Sequence, residues 1–358
     1  MKALPRSGER KERMENPMRI ECDEKEIKKV IDAVVRHTMT MDMTWDWPCG
    51  VAYYGVCEAA KATGKEEYLA LVKERVDTYQ GFGLPVYTVN TCAMGHSLLS
   101  LHEWTGDETY KRLAETYIDY LRNRAERFGD RVLQHTVSAN NDFPEQAWAD
   151  TLFMAAYFML RAGVAWKDEE LLLDALNQFA WHITYLQNKQ NGLWYHGYNN
   201  VNKDHMSGMH WGRANAWAAL TMAEALKRTP QWYLYPACME IQGSLAEQLT
   251  ALKGLQTEKG LWRTVLDDPE SYEEISASAG IAAAMVRSEN PYYLQCAQKA
   301  LPGLLENISP EGRVLNVSGG TAVMKDLEGY RNITKNWPQG WGQGLALAFL
   351  SKLVGQEA

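Results

Sequence analysis

The sequence predicts an all-α fold of six helical hairpins, and three observations carry that prediction. Strand signals are almost absent, whereas helical periodicity recurs from end to end. The helical segments alternate between two kinds, one polar and amphipathic, the other small and apolar nearly all round. A Gly turn followed by a short extended segment recurs between them.

The amphipathic segments fall at 25–37, 66–79, 108–127, 168–188, 235–250 and 293–307, and the apolar ones at 48–63, 91–104, 147–163, 213–227, 275–287 and 340–353. Stretches such as "GVAYYGVCEAA", "ANAWAALTMAEAL", "ISASAGIAAAM" and "GWGQGLALAFL" belong inside, covered by the amphipathic helices. That pairing gives twelve helices. The loops "GDRVLQHT" at 129, "GLWYHGY" at 192, "GLWRTVL" at 260 and "GRVLNVS" at 312 each lead from an outer helix to the next inner one. A helix–loop–helix unit repeated roughly every 50 to 70 residues indicates a closed or stacked α/α array. An irregular helical bundle is the alternative.

The 358 residues, 46% hydrophobic, suffice for one large core. Residues 1–20 are expected to be disordered and 21–358 to form a single domain. The net charge of -8 and the pI near 5.6, with no basic run beyond "RSGERKERMENPMR", argue against a nucleic-acid partner. No signal-peptide core or membrane-length apolar run is present, so a cytoplasmic location without membrane attachment is expected. Six scattered cysteines without a C-x-x-C pair read as reduced core thiols.

Tryptophan is the compositional outlier, thirteen against seven phenylalanines. Trp45, Trp47, Trp148, Trp211, Trp217, Trp337 and Trp341 lie at or just before inner-helix starts, and Trp194 and Trp262 lie in the G-L-W loops. In a closed ring these positions converge on one rim, where indoles offer flat platforms for sugars. Packing between helices is the competing reading for several of them.

Polar groups share that rim. Asp150, in "QAWADTLFMAAYF", carries a carboxylate on the face of Phe153, Met154, Tyr157 and Phe158. With Asn141 or Asp142 as cap and Pro144 in the first turn, Asp150 faces inward from the second turn; alternatively Asp150 is itself the cap of a helix beginning at Thr151. A helix N-terminus favours its charged form and apolar burial its neutral one. His196, His205 and His210 with Asp204 match no metal spacing, and no metal or other cofactor is expected. Arg213, between Trp211 and Trp217, suits a bidentate grip on a carboxylate, or else a surface ion pair. Asn90 lies at the next inner-helix start, His96 reads as a packing residue, and Glu273 and Glu274 as caps.

"FPEQAWADTLFMA", "YHGY" followed by "HWGRANAW", and "YEEISASAG" together resemble the unsaturated rhamnogalacturonyl and glucuronyl hydrolases, in particular glycoside hydrolase family 105. The resemblance runs from about Trp45 to Leu350 and implies an (α/α)6 barrel. It further implies hydrolysis of the non-reducing-end Δ4,5-unsaturated uronic acid that polysaccharide lyases leave on oligosaccharides, as in pectin breakdown. On this resemblance Asp150 is the catalytic acid, and His135, Trp148, His196, Trp211, Arg213 and Trp217 contact the substrate. Asn90 stands where familiar members carry a second active-site aspartate, which questions any mechanism needing two carboxylates.

The implied chemistry tolerates one. Ordinary glycosidases flank the anomeric carbon with two carboxyls, but an unsaturated uronate is an enol ether that a single acid activates by protonating C4. Apolar burial is expected to raise the Asp150 pKa for that role, with Asn90 or His196 orienting the water and Arg213 holding the uronate carboxylate at a distance. A sugar epimerase using two of His96, His135, His196 and His210, and a silent oligosaccharide-binding protein, are the alternatives. A monomer or a homodimer fits the sequence equally.

Overall fold

The computed structural model describes residues 19–129, 131–140 and 143–354. Its helices are α1 (Glu24–Thr40), α2 (Trp47–Thr63), α3 (Glu66–Phe82), α4 (Gly95–Thr105), α5 (Glu108–Asn123), α6 (Tyr157–Trp166), α7 (Glu169–Leu186), α8 (Gly212–Arg228), α9 (Pro236–Gly254), α10 (Ile275–Arg287), α11 (Pro291–Glu306), the short α12 (Leu327–Arg331) and α13 (Gly340–Leu350). The odd-numbered helices up to α11 are the expected outer layer; α2, α4, α6, α8, α10 and α13 are the inner one. Only α12 has no counterpart in the sequence reading. The disorder expected for residues 1–20 concerns, for 1–18, positions outside the described residues, as do the caps expected at Asn141 and Asp142.

Local sequence explains both layers. Outer helices start where a short polar side chain meets the first free N–H groups: Asp23 on α1, Asp107 on α5, Asp168 on α7 and Asn290 on α11. Inner helices rely on small residues for close approach. Gly344 of α13 lies so near the Val51 carbonyl of α2 that a Cβ there would overlap it, and this contact joins the last inner helix to the first.

The four repeated Gly turns complete the closure. Gly129, Gly192, Gly260 and Gly312 have φ of 51°, 76°, 81° and 84°, which glycine adopts without penalty. Gly192 abuts the Glu247 carbonyl of α9, Gly260 that of Lys299 in α11, and Gly312 that of Ala33 in α1. Each hairpin loop thus buttresses the next outer helix, and the last returns to the first. The result is a closed (α/α)6 barrel.

A continuous cluster of buried side chains runs from Ile27 to Val354, each Leu- or Phe-sized member contributing about 1.5–3 kcal/mol. All six cysteines are free thiols, five of them buried. No helix among the described residues is long and apolar enough to cross a membrane. Two small antiparallel pairs form, β1 (Arg127–Phe128) with β2 (Val132–Leu133) and β3 (Gln146–Trp148) with β4 (Gly197–Asn199); β2 and β4 fall in the extended segments expected after the Gly turns, whereas β1, β3 and the pairing were not expected.

Candidate active site

The β3–β4 pair assembles the centre. Trp148 sits opposite Gly197, and the Ala149 N–H donates to the His196 carbonyl at 3.0 Å, so the residue after β3 and the residue before β4 face one another. Gly197 is required there: a Cβ would run into Met206, Val323 and Trp148. His196 Nε2 then lies 3.3 Å from Asp150 Oδ2. At that separation the two are in electrostatic contact without hydrogen-bond alignment, and among the described residues neither atom has a hydrogen-bond partner.

Asp150 is the first helical residue of its segment, so neither sequence reading of it holds as stated. It is not in a second turn, because 146–148 are strand. Nor does its carboxylate cap a helix N–H; it turns to His196 instead. Residues Leu152–Ala156 then form a π-helical turn, a widening often found at functional sites. The turn frees the Phe153 carbonyl to accept from His96 Nε2 at 2.9 Å, while Arg161 donates to His96 Nδ1 at 3.1 Å. His96 is therefore a packed core residue, as expected, that also pins this turn.

Aromatic and imidazole rings wall the pair. His135 stacks on Trp148 at 4.4 Å and contacts Thr151 Oγ1 through Nδ1 at 3.0 Å. His196 lies 4.1 Å from Trp211 and 5.5 Å from Trp148, centroid to centroid. Its Nδ1 meets the Tyr330 hydroxyl at 2.8 Å. Asn90, buried, is tied in by its backbone N–H to the Thr136 carbonyl, next to His135. Beside the centre, a cleft of about 600 Å³ opens between Asp46, Phe82, Val86, Thr88 and Val137.

The electrostatics reverse one expectation. Burial pushes the Asp150 carboxyl up, but the interaction with His196, and the charge that His196, His135 and Arg213 carry in the acid range where Asp150 titrates, outweigh it, so its pKa lies below the ordinary aspartate value rather than above. Burial lowers His196 despite its carboxylate partner, and holds His135 at about 4. Both imidazoles are neutral at pH 7.

Arg213 is sandwiched between Trp211 at 4.4 Å and Trp341 at 5.2 Å, but its two Nη groups are occupied. They donate to Ser318 O and Oγ, Gly319 O, Thr321 Oγ1 and Ser276 Oγ. Glu274 caps α10 as expected, accepting from the Ala277 N–H at 2.6 Å, and also accepts from the Ser318 N–H. Arg213 thus organises the 318–321 strand of chain rather than presenting a free fork.

Not all rim tryptophans reach the site. Trp217 is buried against Phe153 at 5.0 Å, Trp45 packs on Tyr79 and Tyr117, and the Trp262 indole donates to the Leu252 carbonyl. Trp194 is likewise fully buried, and Trp337 is exposed. For all of these but Trp337 the packing reading is nearer. Trp47 and Trp341 stack on each other at 4.3 Å beside Gly320. Sequence reading missed Tyr330 and Ser318, which lie 134 and 105 residues from His196 and Arg213, the site residues they bind.

The chain and its fold are similar to known proteins. The chain matches the model of Glycosyl Hydrolase Family 88 over residues 20–355. It is 50% identical over 333 residues to the unsaturated rhamnogalacturonyl hydrolase YesR of Bacillus subtilis (strain 168), covering 93% of this chain and 96% of that protein. A crystal structure of a possible member of the GH105 family from Salmonella enterica serovar Paratyphi A shares 27% identity, with TM-score 0.88 and 98% coverage of both chains. The unsaturated glucuronyl hydrolase of Bacillus sp. GL1, 15% identical with TM-score 0.69 over 91% of this chain and 95% of that one, shares the fold. The chain belongs to Glycosyl Hydrolase Family 88 and is a glycoside hydrolase.

Proposed function

We propose that this enzyme removes the non-reducing-end Δ4,5-unsaturated uronic acid from oligosaccharides produced by polysaccharide lyases, with Asp150 as the acid. The observation that carries this reading is the facing pair Asp150 Oδ2 and His196 Nε2, buried, aromatic-walled and without other partners among the described residues. The name of its B. subtilis relative agrees with such a substrate.

Asp150 protonates C4 of the enol ether, leaving an oxocarbenium ion shared by C5 and O5. Water adds at C5 and returns a proton to the Asp150 carboxylate. The hemiketal so formed opens and releases the remaining sugar. No second carboxylate is needed, in contrast to hydrolysis at an anomeric carbon, and Asn90 fits a water-orienting role.

A low Asp150 pKa in the free enzyme calls for a proton supplied on binding. The substrate provides the cause: its uronate is an anion, and a like charge beside a desolvated carboxyl raises that carboxyl's proton affinity. The inner helix α13, whose Trp341 packs on Arg213, has no side-chain cap at its N-terminus, and a helix N-terminus favours an anion. Arg213 adds positive potential from behind Trp211, and its grip on 318–321 shapes the wall.

The test is ultraviolet loss of the conjugated double bond. Unsaturated disaccharides from a pectin lyase and from a glycosaminoglycan lyase are supplied to the wild type and to Asp150→Asn. The wild type is expected to consume at least one of them, and Asp150→Asn to be slower by about 10²- to 10⁴-fold, the usual worth of a general acid. A wild type that consumes neither, or an Asp150→Asn enzyme as fast as wild type, contradicts the reading.

A further inference from the structure

Tyr330, from α12, is fully buried; its ring lies 6.1 Å from that of Trp211, and it makes one hydrogen bond to the centre, its hydroxyl 2.8 Å from His196 Nδ1. That hydroxyl already accepts the Met324 N–H at 3.3 Å, and its only other neighbour among the described residues is Ser207 Oγ, at the long distance of 3.5 Å. Its one proton therefore has one good acceptor, Nδ1. An imidazole that accepts at Nδ1 carries its proton at Nε2, and Nε2 is the atom facing Asp150.

We infer that Tyr330 is a positioning residue that fixes His196 as the Nε2–H tautomer, so that the extra proton taken up by the Asp150–His196 pair rests on Asp150, the atom that must deliver it. The inference rests on Asp150 being the acid. To take that proton on Nδ1 instead, His196 would have to turn the Tyr330 O–H away toward Ser207, exchanging a 2.8 Å bond for a 3.5 Å one. Burial pushes the Tyr330 phenol up to about 12, so its proton stays in place throughout the working range.

The segment carrying Tyr330 is held at both ends. Arg213 grips Ser318, Gly319 and Thr321, and Arg331 forms a two-pronged ion pair with Asp268 at 2.6 and 2.7 Å. The charged and titratable groups facing the pair are His135, neutral, and Arg213, with Glu274 behind it. None of these bonds to Nδ1; among the described residues Tyr330 does.

Tyr330→Phe is compared with the wild type and with Ser207→Ala by pH–rate profiles, and the His196 tautomer is read by ¹⁵N-histidine NMR. Tyr330→Phe is expected to lower kcat by about 10- to 100-fold, within the range of a misplaced proton donor, with KM within about twofold. Its basic limb should move to higher pH, because His196 now accepts a proton at Nδ1. Ser207→Ala should match the wild type. A limb that does not move together with kcat within about twofold of wild type overturns the inference, as does a wild-type spectrum with the proton on Nδ1. That spectrum decides the matter alone if Tyr330→Phe does not fold. An Asp150→Asn enzyme as fast as wild type would refute the acid assignment itself, whereas a slow Asp150→Asn beside a wild-type-like Tyr330→Phe removes Tyr330 only.

Discussion

The ring holds a carboxylate withdrawn from solvent at each end, one largely and one fully buried, and the two are used differently. At the mouth, Asp150 faces a neutral imidazole at 3.3 Å and no full positive charge touches it. At the base, Glu224 is fully buried and shared by three cations, Lys352 at 2.5 Å, Arg287 at 3.1 Å and Arg228 at 3.2 Å, with Arg228 also reaching Glu58. Burial pushes both carboxyls up and their partners bring both down, Glu224 much further. A carboxylate locked by three cations cannot exchange a proton near neutrality. One held by a single polarised N–H can, once an anionic sugar changes the local field. Burial alone therefore does not mark the catalyst; the strength of what compensates it does.

Stability measurements should separate the two ends most sharply. Glu224→Gln removes the charge shared by Lys352, Arg287 and Arg228, the first two lining a base cavity of about 630 Å³, and breaking such a network costs about 3–5 kcal/mol. Asp150→Asn should shift unfolding free energy by less than about 1 kcal/mol in either direction, as expected where a site sacrifices stability for function. Denaturant titration checks both. Equal losses at the two positions would end the distinction.

A smaller effect comes from pH. His135, near the mouth, and His182, between the layers, are both held by burial at about 4, below the ordinary histidine value near 6.5. The unfolded chain binds these protons first, so stability is full above about 6.5 and falls as pH drops toward 4, by up to about 1.4 kcal/mol per pH unit for each histidine. Glu224, whose pKa is depressed, adds its loss only below the ordinary glutamate range. Titrations at pH 7, 5.5 and 4.5 should show the decline; a flat profile over that window would mean that these histidines are not held neutral.

How much of this was legible in the sequence follows the range of the interactions. Helix positions depend on local periodicity, and Gly-rich runs such as "GWGQGLALAFL" announced the inner layer to within a few residues. The four Gly turns were legible because left-handed backbone leaves a local mark. The β3–β4 pair was not, since three-residue strands carry no period, and its absence from the reading placed the start of the Asp150 helix too early. The direction of the Asp150 pKa was misjudged for a related reason. Its sequence neighbours, Trp148 and Phe153, are apolar, while the groups that lower it come from elsewhere, His196 and Arg213 from the next hairpin and His135 from farther up its own hairpin loop. Likewise Arg213 looked like a free fork because Ser318 and Gly319 are remote in sequence.

The central claim is that a positioned acid at the mouth protonates C4 of an enol ether. Hydrolysis of an unsaturated disaccharide by the wild type in D₂O, with the freshly released product examined by NMR, tests it most directly. The account predicts one deuteron at C4, delivered to a single face. Deuterium distributed equally over both faces, or a released uronate that still carries its double bond, would contradict it.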